Sequence, residues 1–436
     1  MEANPLFDLA RSESLLPRAN DVIPGGVNRP SPVGQALATS APFMTHGEGA
    51  WINDEDGNRY ADLVMGNGSL IFGHSPKPVR DAMVSAIEKG SASGASTIAE
   101  VELAEMIRSF MPTLEQIRIV TSRLDAMMSA IHLARASTKR LLVVVVGNRE
   151  SSATEVKFDP ARSDSKSYHS RTSLEASMGV STNVIAVEHN DLDATEALMA
   201  SRGSEIAAIV IEPVASGMGC IMPTPKFLAS LRKLCDRHGT LLILDEFVTA
   251  FRVARGGCQE VLGIKADLTC VGSVIGCGSP IAAYGGRRDL MRQLAPVGEV
   301  HQPSTSFASP LAVAGGIAAL RTLDATRAWR KLEYAGAYLQ GGLENILDSL
   351  GIPGQVSRVG SMMSLSFSPN PCSTRTDLEA ADNARFVKFL AGMLCRGVFL
   401  PTSPVEAWFL STAHNDEVLD HILDAARSSL RDTTKP

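Results

Sequence analysis

The feature that most constrains this chain is a set of short, wholly apolar runs spaced by amphipathic stretches. Residues 141–146 read LLVVVV, residues 207–211 AAIVI and residues 241–244 LLIL, and shorter strand-like segments, each with one polar residue, lie at 118–120 and 268–270. A strand that is apolar at every position, rather than at every second one, is buried on both faces, as in a parallel sheet covered by helices on either side. Between the runs, residues 125–136 and 225–238 carry apolar side chains at helical spacing. The alternation predicts an α/β fold built on a mostly parallel sheet.

At 436 residues and 44% hydrophobic content, the chain exceeds what one core accommodates, since single cores stop growing at roughly 250–300 residues. The pattern changes after residue 301 to a long helix, a strand at 361–367 and a closing helix at 415–430, which predicts a smaller C-terminal domain. Near the start, residues 52–62 read as a strand–turn–strand around Asp56-Gly57. Residues 150–182 are rich in serine and charge and weak in periodicity, consistent with either a lid or a loop without catalytic importance.

The net charge is −6 and the basic residues are scattered, so no footprint for nucleic acid or an anionic membrane is expected. The apolar runs fall far short of the roughly 18 residues that suggest a span, and the N-terminus lacks the apolar core of a signal peptide. Seven dispersed cysteines without a CxxC pair suit a reduced protein and no metal site. A cytoplasmic location is the expectation.

Several groups of residues carry a family resemblance. They are Gly25-Gly26-Val27-Asn28, Gly49-Ala50-Trp51, Gly73-His74, Glu212-Pro213-Val214, Asp245-Glu246, Thr249-Ala250-Phe251-Arg252, Gly285-Gly286-Arg287 and the stretch from Glu406 to His414. Together they make the chain resemble glutamate-1-semialdehyde 2,1-aminomutase and the wider class III aminotransferases, which use pyridoxal phosphate. The resemblance implies an aspartate-aminotransferase-like fold of type I, with a large domain on a mostly parallel seven-stranded sheet and a smaller α+β C-terminal domain. It also implies a homodimer with sites at the subunit interface and a small-molecule substrate. The expected division is an N-terminal segment, 1–60, contributing to the small domain, a large domain, 61–300, and a small C-terminal domain, 301–436.

The resemblance also shows where this chain departs. Val271-Gly272-Ser273-Val274-Ile275-Gly276-Cys277-Gly278 aligns with the family's LGKIIGGG, so Ser273 stands at the Schiff-base lysine. A hydroxyl cannot form an imine. Ser122-Arg123-Leu124 replaces the Ser-Gly-Thr that binds the cofactor phosphate, and Arg149-Glu150-Ser151 replaces the aromatic-His-Gly whose ring stacks on the pyridine. Phe247 stands where a small aliphatic residue lies behind that ring. On the substrate side, Arg29 and Pro32 replace a serine and an arginine, and Gly66-Asn67 a Ser-Trp pair. Asp245, which pairs with the pyridine nitrogen in the family, Glu212 and Thr305 are retained.

These substitutions give an expectation of no bound cofactor, with non-covalent pyridoxal or pyridoxamine phosphate as the alternative. An ionised Asp245 at the end of a buried strand must take a cation, such as Arg149 or Arg123, or keep its proton. The candidate catalytic residues are Asp245, Glu246, Arg149, Arg123 and Ser273. The candidate substrate contacts are Arg29, Asn67, Phe247, Glu150 and Thr305, around a small and possibly anionic substrate. Each has a plainer reading: Ser273 as a small remnant, the arginines as partners for Asp245 and Glu150, and His74, His189, His301 and Cys277 as structural residues. Three functions follow. One is a cofactor-independent enzyme performing acid/base chemistry (cyclisation, isomerisation, elimination or acyl transfer) on a specialised metabolite. Another is a non-catalytic homologue, for example the partner of an active paralogue, and the third is residual use of the cofactor.

Overall fold

The computed structural model describes residues 7–28, 42–90, 95–147, 183–302 and 307–434. The chain divides into two compact units. One comprises Met1–Lys77, Arg330–Cys372 and Thr376–Pro436, and the other Pro78–Trp329 and Ser373–Arg375.

The first unit opens on three antiparallel strands, β1 (Met44–Glu48), β2 (Trp51–Asp54) and β3 (Arg59–Asp62). Asp54 shapes the β2–β3 turn by accepting from the amides of Asp56 and Asn58.

The second unit holds the apolar runs. Its strands are β4 (Gln116–Val120), β5 (Leu142–Val146), β6 (Val184–Val187), β7 (Ile206–Ile211), β8 (Leu241–Glu246), β9 (Leu268–Val271) and β10 (Ala282–Gly286). They form one seven-stranded sheet in the order β4-β10-β9-β8-β7-β5-β6. Only β10 runs against its neighbours. Every residue of β5, β7 and β8 is buried, as unbroken apolar runs require.

Two helices show how the faces are covered. The helix Arg123–Thr138 sets Ala126, Met127, Ala130 and Ile131 against Leu241 and Ile243 of β8. The helix Pro225–His238 sets Phe227, Leu228 and Leu231 against Leu242 and Leu244 on the other face. Strong signals bound this second helix: the Thr224 side chain caps it, Pro225 opens it, and Gly239 closes it at φ 64°.

In the first unit, β11 (Gln355–Val359), β12 (Met362–Ser366) and β14 (Trp408–Phe409) form a small antiparallel sheet, while β13 (Val398–Phe399) joins β3 in parallel. Helices Asn383–Leu394 and Asp416–Thr433 contribute Phe389 and Ile422 to a core with Leu339, Leu343 and Trp408. The single long helix expected after residue 301 is two, Pro310–Thr326 and Trp329–Leu350. Arg327 ends the first in a left-handed conformation at φ 47°, without the glycine that usually marks such a stop. Among the described residues, no helix is long and apolar enough to cross a membrane.

Candidate functional site

The period-two geometry of β8 sorts its two acidic residues. Leu241 and Ile243 face the helix Arg123–Thr138, so Asp245 continues on that face, whereas Glu246 falls on the face of Leu242 and Leu244. Both lie at the carboxyl end of the sheet, the end at which open α/β sheets hold their ligands.

Arg123 is the first residue of the helix that follows β4, with Ser122 as its cap. Its Nε and Nη2 donate to Asp245 Oδ2 at 2.8 and 2.6 Å, and Nη2 also donates to Glu212 Oε2 at 3.2 Å. The other carboxylate oxygen of Asp245 accepts from the Phe247 amide at 3.2 Å. Glu212 Oε1 accepts from the Ser216 hydroxyl at 2.5 Å and the Ser216 amide at 3.2 Å. Asp245 and Glu212 are 5% and 7% exposed, and the Arg123 side chain 24%. Nη1 of Arg123 is left unengaged among the described residues.

A cation at a helix N-terminus opposes the helix dipole. Here the two carboxylates outweigh that effect. Burial alone would lower the Arg123 pKa, but Asp245 and then Glu212 raise it above its ordinary value. The Glu212 carboxyl is pushed up, by burial first and by the like charge of Asp245, against the opposing pull of Arg123. One guanidinium between two carboxylates leaves one surplus negative charge, and the shift favours a proton on Glu212.

Phe247 is half-buried, its ring centroid 5.8 Å from the Arg123 guanidinium carbon. The same ring lies against Gly272, where a Cβ would come within 2.0 Å of its Cε2. Ser273 follows in a left-handed conformation at φ 48°. Its buried hydroxyl has no hydrogen-bond partner among the described residues. Strands β8 and β9 set these groups side by side, with Asp245 opposite Cys270 and Glu246 opposite Val271.

Glu246 does not join the cluster. It accepts from the amides of Cys258 and Gln259 at 2.6 and 3.0 Å and from the Thr249 hydroxyl at 3.0 Å, tying down residues 249–259. Burial raises its pKa to about 7 despite these donors. Asn67 belongs to the first unit, where it is exposed at φ 55°. Leu124 is 48% exposed. Arg29, Pro32, Arg149, Glu150 and Thr305, and the loop 150–182, lie outside the described residues.

The histidines and cysteine weighed alongside these differ in their surroundings. His74 Nε2 meets Asp62 Oδ2 at 2.8 Å in the first unit. His301 is exposed, and burial holds His189 down to about 4, with neither of its buried ring nitrogens hydrogen-bonded among the described residues. Burial raises Cys277 to about 12, the direction of an inert thiol. Among the described residues, no three His, Cys, Asp or Glu side chains are grouped to hold a metal. Glu212, named from the sequence as a retained family position, was not among the candidate catalytic residues, and Ser216 was not singled out at all. An acidic residue directly after the apolar run 207–211 was the available signal.

A fold of this order, with an acidic residue ending its central strand, is that of an aminotransferase of fold type I. The chain belongs to the class III aminotransferase family, whose model matches residues 35–426. It is 40% identical over 426 residues to a glutamate-1-semialdehyde 2,1-aminomutase of Myxococcus xanthus, covering 98% of this chain and 99% of that one. It is 41% identical over 425 residues to the enzyme of the same name from Roseiflexus castenholzii, covering 97% of each. Among solved structures it superposes on an omega-transaminase from Sphaerobacter thermophilus with a TM-score of 0.87 at 28% identity, covering 98% of this chain and 100% of that one.

Proposed function

We propose that this protein is an aminotransferase-fold enzyme that works without covalently held pyridoxal phosphate, performing acid/base chemistry on a small molecule at the carboxyl end of β8. The observation that carries the reading is the Arg123–Asp245 pair. A pyridoxal group needs a primary amine for its aldehyde and a carboxylate for its ring nitrogen. Ser273 offers a hydroxyl, and both oxygens of Asp245 are already engaged. At the helix start, where a phosphate would sit, the Asp125 carboxylate is held by the hydroxyls of Thr121 and Ser122. These residues do not fit the group. Nor does Lys265 supply the missing amine, since it precedes β9 at the other end of the sheet.

In this reading Glu212 carries the transferable proton, Asp245 fixes Arg123, and Nη1 of Arg123, unengaged among the described residues, binds a substrate oxygen. Arg149 remains a proposed catalytic residue, Phe247, Glu150 and Thr305 remain proposed contacts to a small, anionic substrate, and a homodimer is the proposed assembly. The test is turnover across a panel of small anionic metabolites, with Arg123→Gln and Glu212→Gln as controls. Product formation that both variants abolish supports these roles, and turnover that neither changes refutes them.

A second reading is favoured by one observation, the 40% identity to glutamate-1-semialdehyde 2,1-aminomutases over nearly the whole chain. It holds that the protein keeps its relatives' cofactor, through non-covalent binding or an amine elsewhere in the chain. Lys157 and Lys166, outside the described residues, are the amines to examine. Cofactor uptake by the purified protein separates the two readings.

A further inference from the structure

Arg123 serves its two buried carboxylates unequally. Nε and Nη2 give Asp245 Oδ2 two short bonds, of 2.8 and 2.6 Å, whereas Glu212 Oε2 has only a 3.2 Å share of Nη2. Glu212 Oε1 is held by both the hydroxyl and the amide of Ser216, so Oε2 is the oxygen with room for a proton. The other titratable groups near Glu212 supply no second cation among the described residues. Burial keeps Cys220 and Cys258 as neutral thiols and His189 as a neutral imidazole. The charge of Glu212 is therefore balanced by Arg123 alone, and Asp245 holds the larger part of that cation.

An anion that accepts from Nη1 draws on the same guanidinium and brings a like charge toward Glu212. Ionised Glu212 is then disfavoured by roughly ten- to a hundredfold. We infer that Arg123 binds a small carboxylate jointly with a proton on Glu212 Oε2, taken from solvent wherever Glu212 is ionised beforehand. The inference rests on the reading proposed above, in which Nη1 meets a substrate oxygen, and adds that the substrate's own charge loads the acid. Only an O–H bond forms, and the net charge is conserved: one guanidinium with two carboxylates becomes one guanidinium with Asp245, neutral Glu212 and the bound carboxylate. Burial already favours this proton in the unliganded protein, and the anion extends its hold to higher pH. A carboxylate fits better than a phosphate dianion, because Asp125 in the first turn of the same helix opposes a second negative charge.

The test is acetate binding to the full chain, read from broadening of the acetate NMR signal at constant ionic strength from about pH 6 to about pH 9, a range in which neither acetate nor arginine titrates. The liganded protein holds the proton more tightly, so binding is strongest at the acid end, and the dissociation constant is expected to rise roughly ten- to a hundredfold across the range. Glu212→Gln keeps a neutral group of the same shape. In that variant acetate is expected to bind at every pH as tightly as it binds the unmodified protein at the acid end. Inorganic phosphate is expected to bind more weakly than acetate. An affinity that does not change with pH, or a slope that Glu212→Gln retains, would overturn the coupling, and tighter binding of phosphate would overturn the carboxylate class. Each of these results leaves Arg123 an anion site and the reading above standing. If acetate shows no binding that Arg123→Gln removes, Nη1 is not an anion site, and that reading falls together with the inference.

Discussion

Arg123 and Asp245, 122 residues apart in sequence, are joined by two hydrogen bonds of 2.8 and 2.6 Å to a single carboxylate oxygen. The pair is held by local structure on both sides: the helix start after β4 delivers the guanidinium, and the alternation along β8 turns Asp245 toward it.

Removing the cation should be more damaging than removing an average surface charge. Arg123→Met leaves Asp245 and Glu212 buried without a counter-charge, and a loss of about 3 kcal/mol is expected in urea unfolding at neutral pH. The loss should shrink as pH falls, because a proton on Glu212, whose carboxyl burial pushes up, relieves part of the uncompensated charge. A loss under about 0.5 kcal/mol at neutral pH would show that the pair contributes as little as an exposed one.

Glu246 should register in the pH dependence of stability. Its folded-state pKa, about 7, lies above the ordinary value of 4.5, so the folded chain holds this proton more tightly than the unfolded chain. Its contribution is complete below pH 4.5 and is lost as pH rises through 7, a decline on the order of 3 kcal/mol. Glu246→Gln should flatten the stability profile across this window, whatever its effect on absolute stability. A profile equally steep in the variant would remove Glu246 as its source.

Phe247 and Gly272 should behave as one unit. A Cβ at Gly272 would meet the Phe247 ring at 2.0 Å, so Gly272→Ala is expected to cost about 1–3 kcal/mol by overpacking. In the Phe247→Leu background the same change should cost clearly less. Equal losses in a double-mutant cycle would mean that the two residues do not share this space.

Ser273 combines a left-handed backbone with a buried hydroxyl that has no protein partner among the described residues. Glycine relieves the first and removes the second, so Ser273→Gly should be neutral or stabilising by about 1 kcal/mol in urea unfolding. A clear destabilisation would mean that the hydroxyl has an unrecognised partner.

The central strands β5, β7 and β8 were legible because they are buried on both faces, which demands unbroken apolar runs that no amphipathic helix displays, whereas β6 and β10 were not read as strands. The helix Pro225–His238 was legible in full, since Thr224, Pro225 and Gly239 mark its ends chemically. The stop at Arg327 was not, because its left-handed residue is neither glycine nor asparagine. At the site, the need of Asp245 for a cation followed from burial alone. That Arg123 supplies it depended on where the helix after β4 begins, and the engagement of Glu212 depended on strand order, which no local pattern encodes. The opposite facing of Asp245 and Glu246 was present in the period of β8, yet both were grouped as acid/base candidates because they are adjacent in sequence.

The most direct measurement is the intact mass of the purified protein after incubation with excess pyridoxal phosphate and borohydride reduction, with peptide mapping of any adduct. The account predicts no stoichiometric adduct on a single lysine. One pyridoxyl group per chain at a unique lysine, together with conversion of glutamate 1-semialdehyde, would contradict it.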